Sequence, residues 1–407
     1  MKPSGIEWIG DIPDDWEVRR GKYTLDLLMR PIRDNDEIIT CFRDGQVTRR
    51  SNRREDGFTF ADKEIGYQGI LKGDLVIHGM DGFAGAIGIS DSDGKGSPVL
   101  NVCRPKNGSD TRYINYYLRT LALQNVFIAL STGIRERSCD LRWKKIAELL
   151  FTIPPLKTQQ KIADYLDEKC GEIDATIAKQ KESIEKLKAY KQSLISETVT
   201  KGLDKSAPLK PSGIDYLGDI PSHWEIKKLK FLVSLIDNKT KDGHSISLEN
   251  IESGTGKLIE TENTYDGEGI SFKENDLLFG KLRPYLAKVY LSALKGRALG
   301  DFYVMRANKG INPNFLKFVL LSDWFIKIVD SSTYGTKMPR ASWDFTGGMR
   351  IPLPPISEQD CISSYLETKC SEVDTFIIEK QNIIQKLDAY KKFLIFECVT
   401  GKRDLWV

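Results

Sequence analysis

Arginine and lysine crowd a few short stretches of this chain, where the chemistry they offer is contact with a polyanion. Arg43, Arg49, Arg50, Arg53 and Arg54 fall within one run, and Arg135, Arg137 and Arg142 lie in the polar segment STGIRERSCDLRW that starts at Ser131. The second half carries Lys281, Arg283 and Tyr285 in FGKLRPY, then Lys337 and Arg340 in STYGTKMPRASWDF from Ser332. A guanidinium fork can address a guanine edge in the major groove with two bonds, and either cation neutralises phosphate. A charge cluster is most often a solvated face, and many protein–DNA contacts go to the backbone. These stretches therefore mark candidate surfaces. The candidate DNA-contacting residues are Arg49, Arg50, Arg53, Arg54, Arg135, Arg137, Lys281, Arg283, Tyr285, Lys337 and Arg340.

Catalytic chemistry finds no comparable foothold. There is no GxxxxGK[ST] phosphate loop and no GxGxxG opening a helix after a strand. Three histidines, His78, His223 and His244, form no metal-spaced pair, and the acidic residues offer no DxD or DGxE pattern defensible as a Mg²⁺ ligand set. An adenine-amino methyltransferase would hold its flipped base with an Asn/Asp-Pro-Pro-Tyr/Phe element. Here the Pro-Pro pairs read Ile153-Pro154-Pro155-Leu156 and Leu353-Pro354-Pro355-Ile356, whose outer residues cannot do that work. No catalytic and no metal-ligating residue is assigned.

The elements that must carry the basic stretches are written twice. Lys2 to Glu17 reads KPSGIEWIGDIPDDWE and Lys210 to Glu225 reads KPSGIDYLGDIPSHWE, so Trp16 and Trp224 stand 224 − 16 = 208 residues apart. IPPLKTQQKIADYLDEKCGEID from Ile153 is answered by LPPISEQDCISSYLETKCSEVD from Leu353, and KLKAYKQSLISETVT from Lys186 by KLDAYKKFLIFECVT from Lys386. The period is too long for a solenoid repeat. Between the matched blocks the halves hardly resemble each other, as in a scaffold that presents two different readers. Trp16, Trp224, Trp143 and Trp343 are expected to pack at the joints between domains and helices.

Each Pro-Pro opens a long segment whose apolar residues keep 3-4 spacing. The first seam runs through Ala163, Leu166, Cys170, Ile173, Ile177, Gln180, Ile184, Leu187, Lys191 and Leu194. The second repeats it at Ser363, Leu366, Cys370, Val373, Ile377, Lys380, Ile384, Leu387, Lys391 and Leu394. One such stripe would suit the face of a globular domain. Two matched stripes of about 35 to 40 residues favour a coiled coil between them, each helix roughly 55 to 60 Å long. The chain order makes it antiparallel, with a pseudo-twofold from the duplication. The polar steps, Gln180 with Lys380 and Lys191 with Lys391, would fix register at a cost in stability. Cys170 and Cys370 are small core residues on this seam.

The fold class is therefore α+β: two mixed α/β domains joined by two long helices. The expected division is a first domain over 1–155, a first spacer helix over 156–204, a second domain over 205–355, and a second helix with its tail over 356–407. GDLVIHGMDGFAGAIGIS from Gly73 and NDLLFGKLRPYLAKVYLS from Asn275 have strand-turn-strand character, and Tyr113 to Leu130 and Pro313 to Val329 read as amphipathic helices. In all, 407 residues with 29% charged and 40% hydrophobic side chains suit a folded, soluble protein. No apolar run is long enough to span a bilayer and the first residues lack signal-peptide character, so a cytoplasmic location with no membrane partner is expected. Seven unpaired-looking cysteines fit a reducing compartment. The net charge of +3 decides nothing.

The doubled PSGI-x-x-x-GDIP-x-x-W opening and the doubled PP[LI]-x-x-Q-x-x-I-x-x-YL-[DE]-x-KC-x-E-[IV]-D segment resemble the specificity subunit of a type I restriction-modification system, along the whole chain. The second copy has the PPISEQ usual in that family; the first has PPLKTQ, with Thr158 in place of Glu, from which a weaker charge interaction at the helix start is expected. The resemblance implies a non-catalytic DNA reader with two target recognition domains on double-stranded DNA. Its target would be bipartite and asymmetric, with an unread spacer of fixed length. It also implies two modification (methyltransferase) subunits docked on the helical region and two ATP-dependent restriction subunits. S-adenosylmethionine, ATP and Mg²⁺ would then sit on those partners, and no cofactor on this chain. The rival reading is a bivalent scaffold that binds proteins or glycans through two divergent domains on a rod.

Overall fold

The computed structural model describes residues 1–53, 65–129, 141–259, 267–335 and 337–403. Arg54, Arg135 and Arg137 lie outside the described residues. Among the described residues five helices run nine residues or more: α1 Thr111–Leu123, α2 Leu156–Lys201, α3 Pro313–Leu321, α4 Asp323–Ser331 and α5 Ile356–Val399. The chain divides into two compact units, Met1–Gln180 with Asn382–Val407, and Lys181–Gln381.

In the first unit a four-stranded antiparallel sheet has the order Leu25–Leu27, Leu100–Pro105, Leu75–His78, Ile87–Ile89. The second unit repeats that order with Val233–Ile236, Phe302–Ala307, Asp276–Gly280 and Val289–Leu291. The two-residue period of a strand sends alternate side chains to opposite faces. Leu75 and Ile77 enter the core under α1, while Val76 joins Ile39, Cys41 and Val47 on the other face. Leu277 and Phe279 likewise pack toward α3 and α4, and Leu278 toward Ile246, Phe272 and Phe302. Both faces of each central strand are covered, which is why these strands read as continuous apolar runs.

A buried carboxylate begins each central strand. Asp74, with a fully buried side chain, pairs with both Arg30 and Arg104, the latter at 3.0 Å. Asp276 takes a two-bond pair from Arg306 at 2.8 and 2.7 Å. Each also accepts the backbone N–H three residues before it, Leu71 at 2.8 Å and Lys273 at 2.7 Å. A charge removed from water persists only when paired and hydrogen-bonded in this way.

The amphipathic segments are helical but broken. α1 ends at Leu123, and Asn125 takes a left-handed φ of 57° before Val126–Ala129 resumes. Ser322, extended at φ −65° and ψ 143°, separates α3 from α4. The long helices exceed the expected length, because they begin at the residue after Pro-Pro rather than with the heptad. At ~1.5 Å per residue each is about 65–70 Å long.

Within each unit the two long helices run antiparallel. In the first, Asp174 meets Lys391 and Cys170 lies with Ile395; in the second, Lys191 meets Asp374 and Ile195 lies with Cys370. Leu166, Ile173, Ile177, Ile184, Leu366 and Val373 are buried, while Leu187, Ile377, Ile384 and Leu387 are half-buried. Burial raises the thiol pKa of both Cys170 and Cys370, as suits core residues. One expectation changes: Lys191 and Lys391 do not pair with each other. Each takes a carboxylate, because an amine on the seam is stable only with a partner of opposite charge.

The motifs written in both halves are joints. Gln159 and Gln359 are both buried. Gln159 accepts the Asp110 N–H at 2.9 Å and donates to the Pro154 carbonyl at 2.8 Å; Gln359 accepts the Asn312 N–H at 2.7 Å and donates to Pro354 at 2.8 Å. Asp110 and Asn312 are the N-caps of α1 and α3, so each glutamine locks a domain helix to the start of a long helix. Trp16 and Trp224 are buried in the two cores, and Trp143 and Trp343 are half-buried against them. Gly202, with φ 74°, ends α2 against the Trp224 ring, and Gly401, with φ 70°, follows α5 against Pro13 and Trp16. A side chain at either position would strain the backbone and crowd that packing.

Candidate nucleic-acid interface

In the second unit the Asp276–Gly280 strand runs into a tight turn. Pro284–Leu286 form a single 3-10 turn between two left-handed residues, Arg283 at φ 51° and Ala287 at φ 46°. Such conformations cost about 1 kcal/mol or more each for residues with a Cβ, and persist only where surrounding contacts over-determine them. Here the segment before Trp343 does so. Arg283 N–H donates to the Pro339 carbonyl at 2.8 Å and Ala341 N–H to the Lys281 carbonyl at 2.9 Å. The Tyr303 hydroxyl donates to the Ala341 carbonyl at 2.7 Å, and burial pushes its pKa up to about 12.

Two basic stretches about sixty residues apart in sequence thus come together. Arg340 donates through Nη2 to Asp301 Oδ2 at 3.0 Å, and Lys281 Nζ stands 3.9 Å from Asp301 Oδ1 and 5.4 Å from the Tyr303 ring centre. Arg283 and Lys337 are exposed and make no side-chain hydrogen bond or ion pair among the described residues. Tyr285, Tyr334 and Met338 are exposed beside them, Tyr334 at 79%. Free cations next to exposed aromatic faces can neutralise phosphates and stack on bases.

The first unit builds the same frame from different residues. Its turn carries Gly82–Ala84 as the 3-10 element and Gly85, φ 94°, where the second unit has Ala287. Leu141 N–H donates to the Gly79 carbonyl at 2.8 Å, as Ala341 does to Lys281. A hairpin of Ile39–Cys41 and Val47–Arg49 lies on this turn, so closely that a Cβ on Gly85 or Gly88 would overlap the carbonyls of Arg43 or Gly45. Arg43 Nη2 is 2.9 Å from Asp81, Arg49 Nη1 2.9 Å from Glu37, and Arg53 Nη1 2.8 Å from Asp44. Arg50 Nε donates to Thr40 Oγ1 at 3.4 Å. Arg53 also lies over the Phe42 ring at 4.1 Å. Asp44, Asp81, Phe42 and His78 are the residues sequence reading passed over; only the alternation of Arg with Asp in FRDGQ signals the first.

The two units thus share one topology, and each sets basic loops beside the same turn. The family model for the type I restriction modification DNA specificity domain matches residues 51–188. The chain is 23% identical, over an alignment of 423 positions covering 97% of this chain and 95% of the other, to a putative type I restriction enzyme specificity subunit, MjaX, of Methanocaldococcus jannaschii. It is 21% identical over 287 positions, 64% of each chain, to the type I restriction enzyme EcoDI specificity subunit of Escherichia coli. Among solved structures it resembles a chain described for the complex assembly and conformational transition of the type I R-M system, with TM-score 0.73, 12% identity, and 97% of this chain and 100% of that one covered. The HsdS subunit of Thermoanaerobacter tengcongensis matches with TM-score 0.53, 15% identity, and coverage of 97% and 98%. The chain is thus similar along nearly its whole length to type I restriction-modification specificity subunits, and it shares their fold.

Proposed function

We propose that this chain reads a bipartite, asymmetric sequence in double-stranded DNA for a type I restriction-modification complex and is itself non-catalytic. The observation that supports this most is the shared frame with divergent cargo. The equivalent turns carry Asp81 in one unit, paired with Arg43 of the neighbouring hairpin, and Lys281 and Arg283 in the other, beside Arg340 of the segment before Trp343. Side chains so different select different base pairs on one kind of scaffold, so the two half-sites differ, with an unread spacer of fixed length between them. Two modification subunits that methylate adenine would dock on the long helices, and two ATP-dependent restriction subunits would complete a nuclease. S-adenosylmethionine, ATP and Mg²⁺ belong to those partners in this reading. No helix of the described residues is long and apolar enough to cross a membrane, which accords with work on DNA in the cytoplasm. The likeness to specificity subunits gives the bivalent protein or glycan scaffold no support.

The test is a genome-wide map of adenine methylation in the source cell with and without this gene, with expression of the modification subunit verified. Loss of one bipartite motif supports the reading. An unchanged map refutes it.

A further inference from the structure

The second unit holds Arg340 against Asp301 but leaves two other exposed cations unpaired among the described residues. Arg283 and Lys337 of the second unit make no side-chain hydrogen bond or ion pair among the described residues. In the first unit a cleft of about 740 Å³ is lined by Phe42, Arg43, Asp44, Arg53, His78 and Asp81, among others, and these two arginines each carry a carboxylate. Arg43 Nη2 lies 2.9 Å from Asp81 Oδ1, and Arg53 Nη1 lies 2.8 Å from Asp44 Oδ2. The pairs are open to solvent, with the Arg43 side chain 67% exposed and Asp81 37%.

A phosphate clamp should present uncompensated positive charge, and a carboxylate in the clamp repels the ligand. The same carboxylate is an asset against base edges. Guanidinium donates to guanine O6 and N7, and carboxylate accepts from cytosine N4, so an Arg–Asp pair offers donors and an acceptor that complement the two acceptors and the donor of a G·C edge. His78 adds an uncharged donor. Its Nδ1 accepts the N–H groups of Met80 at 3.2 Å and Asp81 at 2.9 Å, which places the ring proton on Nε2. Burial lowers its pKa, which favours the neutral ring. Phe42, with Arg53 over its ring, forms the apolar wall.

We propose that the Arg43–Asp81 and Arg53–Asp44 pairs in this cleft read the edges of G·C base pairs in one half of the target and do not hold phosphates. The inference rests on the DNA-reading function above and adds residues and base-pair type to it.

Two variants of the full chain, Arg43→Lys and Asp81→Asn, test it in the source cell with its partner subunits. Lysine keeps the charge that a phosphate needs and loses the fork that guanine needs. The expected result is a methylation motif that becomes degenerate at a G·C position in one half, with discrimination there reduced roughly ten- to a hundredfold, while the other half is unchanged. With purified full chain and a duplex carrying the wild-type motif, the dependence of affinity on salt should not change. A motif left intact by both variants overturns the inference. So does a uniform gain in affinity for Asp81→Asn with a salt slope altered by about 1, which is the signature of phosphate contact. A wild-type map with no bipartite motif removes the DNA-reading function itself; an intact wild-type motif insensitive to both variants removes only the assignment of the cleft.

Discussion

Lys191 Nζ lies 2.7 Å from Asp374 Oδ1, and the two positions two hundred residues away, Lys391 and Asp174, meet at 2.6 Å in the other unit. The duplication therefore appears as two lysine–aspartate clasps, each formed by one helix from each copy. They are not energetically equal. Lys191 and Asp374 are 9% and 16% exposed, Lys391 and Asp174 are 27% and 58% exposed. Asp374→Asn should destabilise the second unit by about 2–3 kcal/mol, because it strands a buried amine. Asp174→Asn should cost less than about 1 kcal/mol. Denaturant unfolding followed by unit-specific hydrogen exchange measures both, and equal costs would contradict the burial difference.

The clasp also sets an acid limit. Burial raises the Asp374 pKa, but its bonds to Lys191 and Lys257 outweigh that and hold the carboxyl below its usual range. A folded pKa below the unfolded value near ~3.9 contributes stability that is fully present above about pH 5 and is lost as pH falls through the folded pKa. The gap between wild type and Asp374→Asn should be constant from neutrality to about pH 5 and should shrink by about pH 2. A gap that stays unchanged at the acid end would show that the charge of Asp374 does not stabilise the fold.

Gln359→Ala removes the bond accepted from the Asn312 N–H and those donated to Pro354 and Gly310, made by a buried side chain. Leaving such groups unpaired should cost about 2–3 kcal/mol. Protection should fall first in α3, whose N-cap is Asn312. Fraying that begins instead at the far end of α5 would place the role of this glutamine elsewhere.

Thr158 and Glu358 differ for a tertiary reason, not through helix-start electrostatics alone. Glu358 accepts the Trp224 indole N–H at 3.0 Å and lies 2.6 Å from His223 Nε2. The first copy has Asp15 where the second has His223, and Asp15 lines the same hollow as Gln159. A glutamate at 158 would face that aspartate. Thr158→Glu should lower stability by about 0.5–1 kcal/mol, and adding Asp15→His should recover it. Additive effects in the double mutant would mean the two positions are not coupled.

Arg283→Ala removes an exposed side chain without a polar partner among the described residues, so stability should shift by less than about 0.5 kcal/mol. Binding should weaken at one half-site only, read as altered methylation of that half. Equal loss at both halves would count against a role confined to the second unit.

Much of this architecture was legible in the residues alone. The repeated PSGI and Pro-Pro blocks mark the joints, and the 3-4 spacing from Leu166 and Leu366 marks the seam, because helical periodicity and backbone punctuation act over a few residues and leave a local trace. The topology shared by 18–152 and 226–350 left almost none. Leu75–His78 and Asp276–Gly280 are equivalent by their neighbours in a sheet, and a sheet accepts many apolar residues at the same place. Pairing partners were equally hidden: the heptad put Lys191 beside Lys391, but helix crossing and charge selected Asp374. The basic stretches were visible as composition. That Arg283 stands without a side-chain partner among the described residues while Arg43 and Arg53 are held by Asp81 and Asp44 is a matter of angstroms set by the folded chain. Local rules of helix and turn were sufficient to determine the elements and the duplication; long-range packing and charge pairing, which no local spacing encodes, decided which side chains remain available to a ligand.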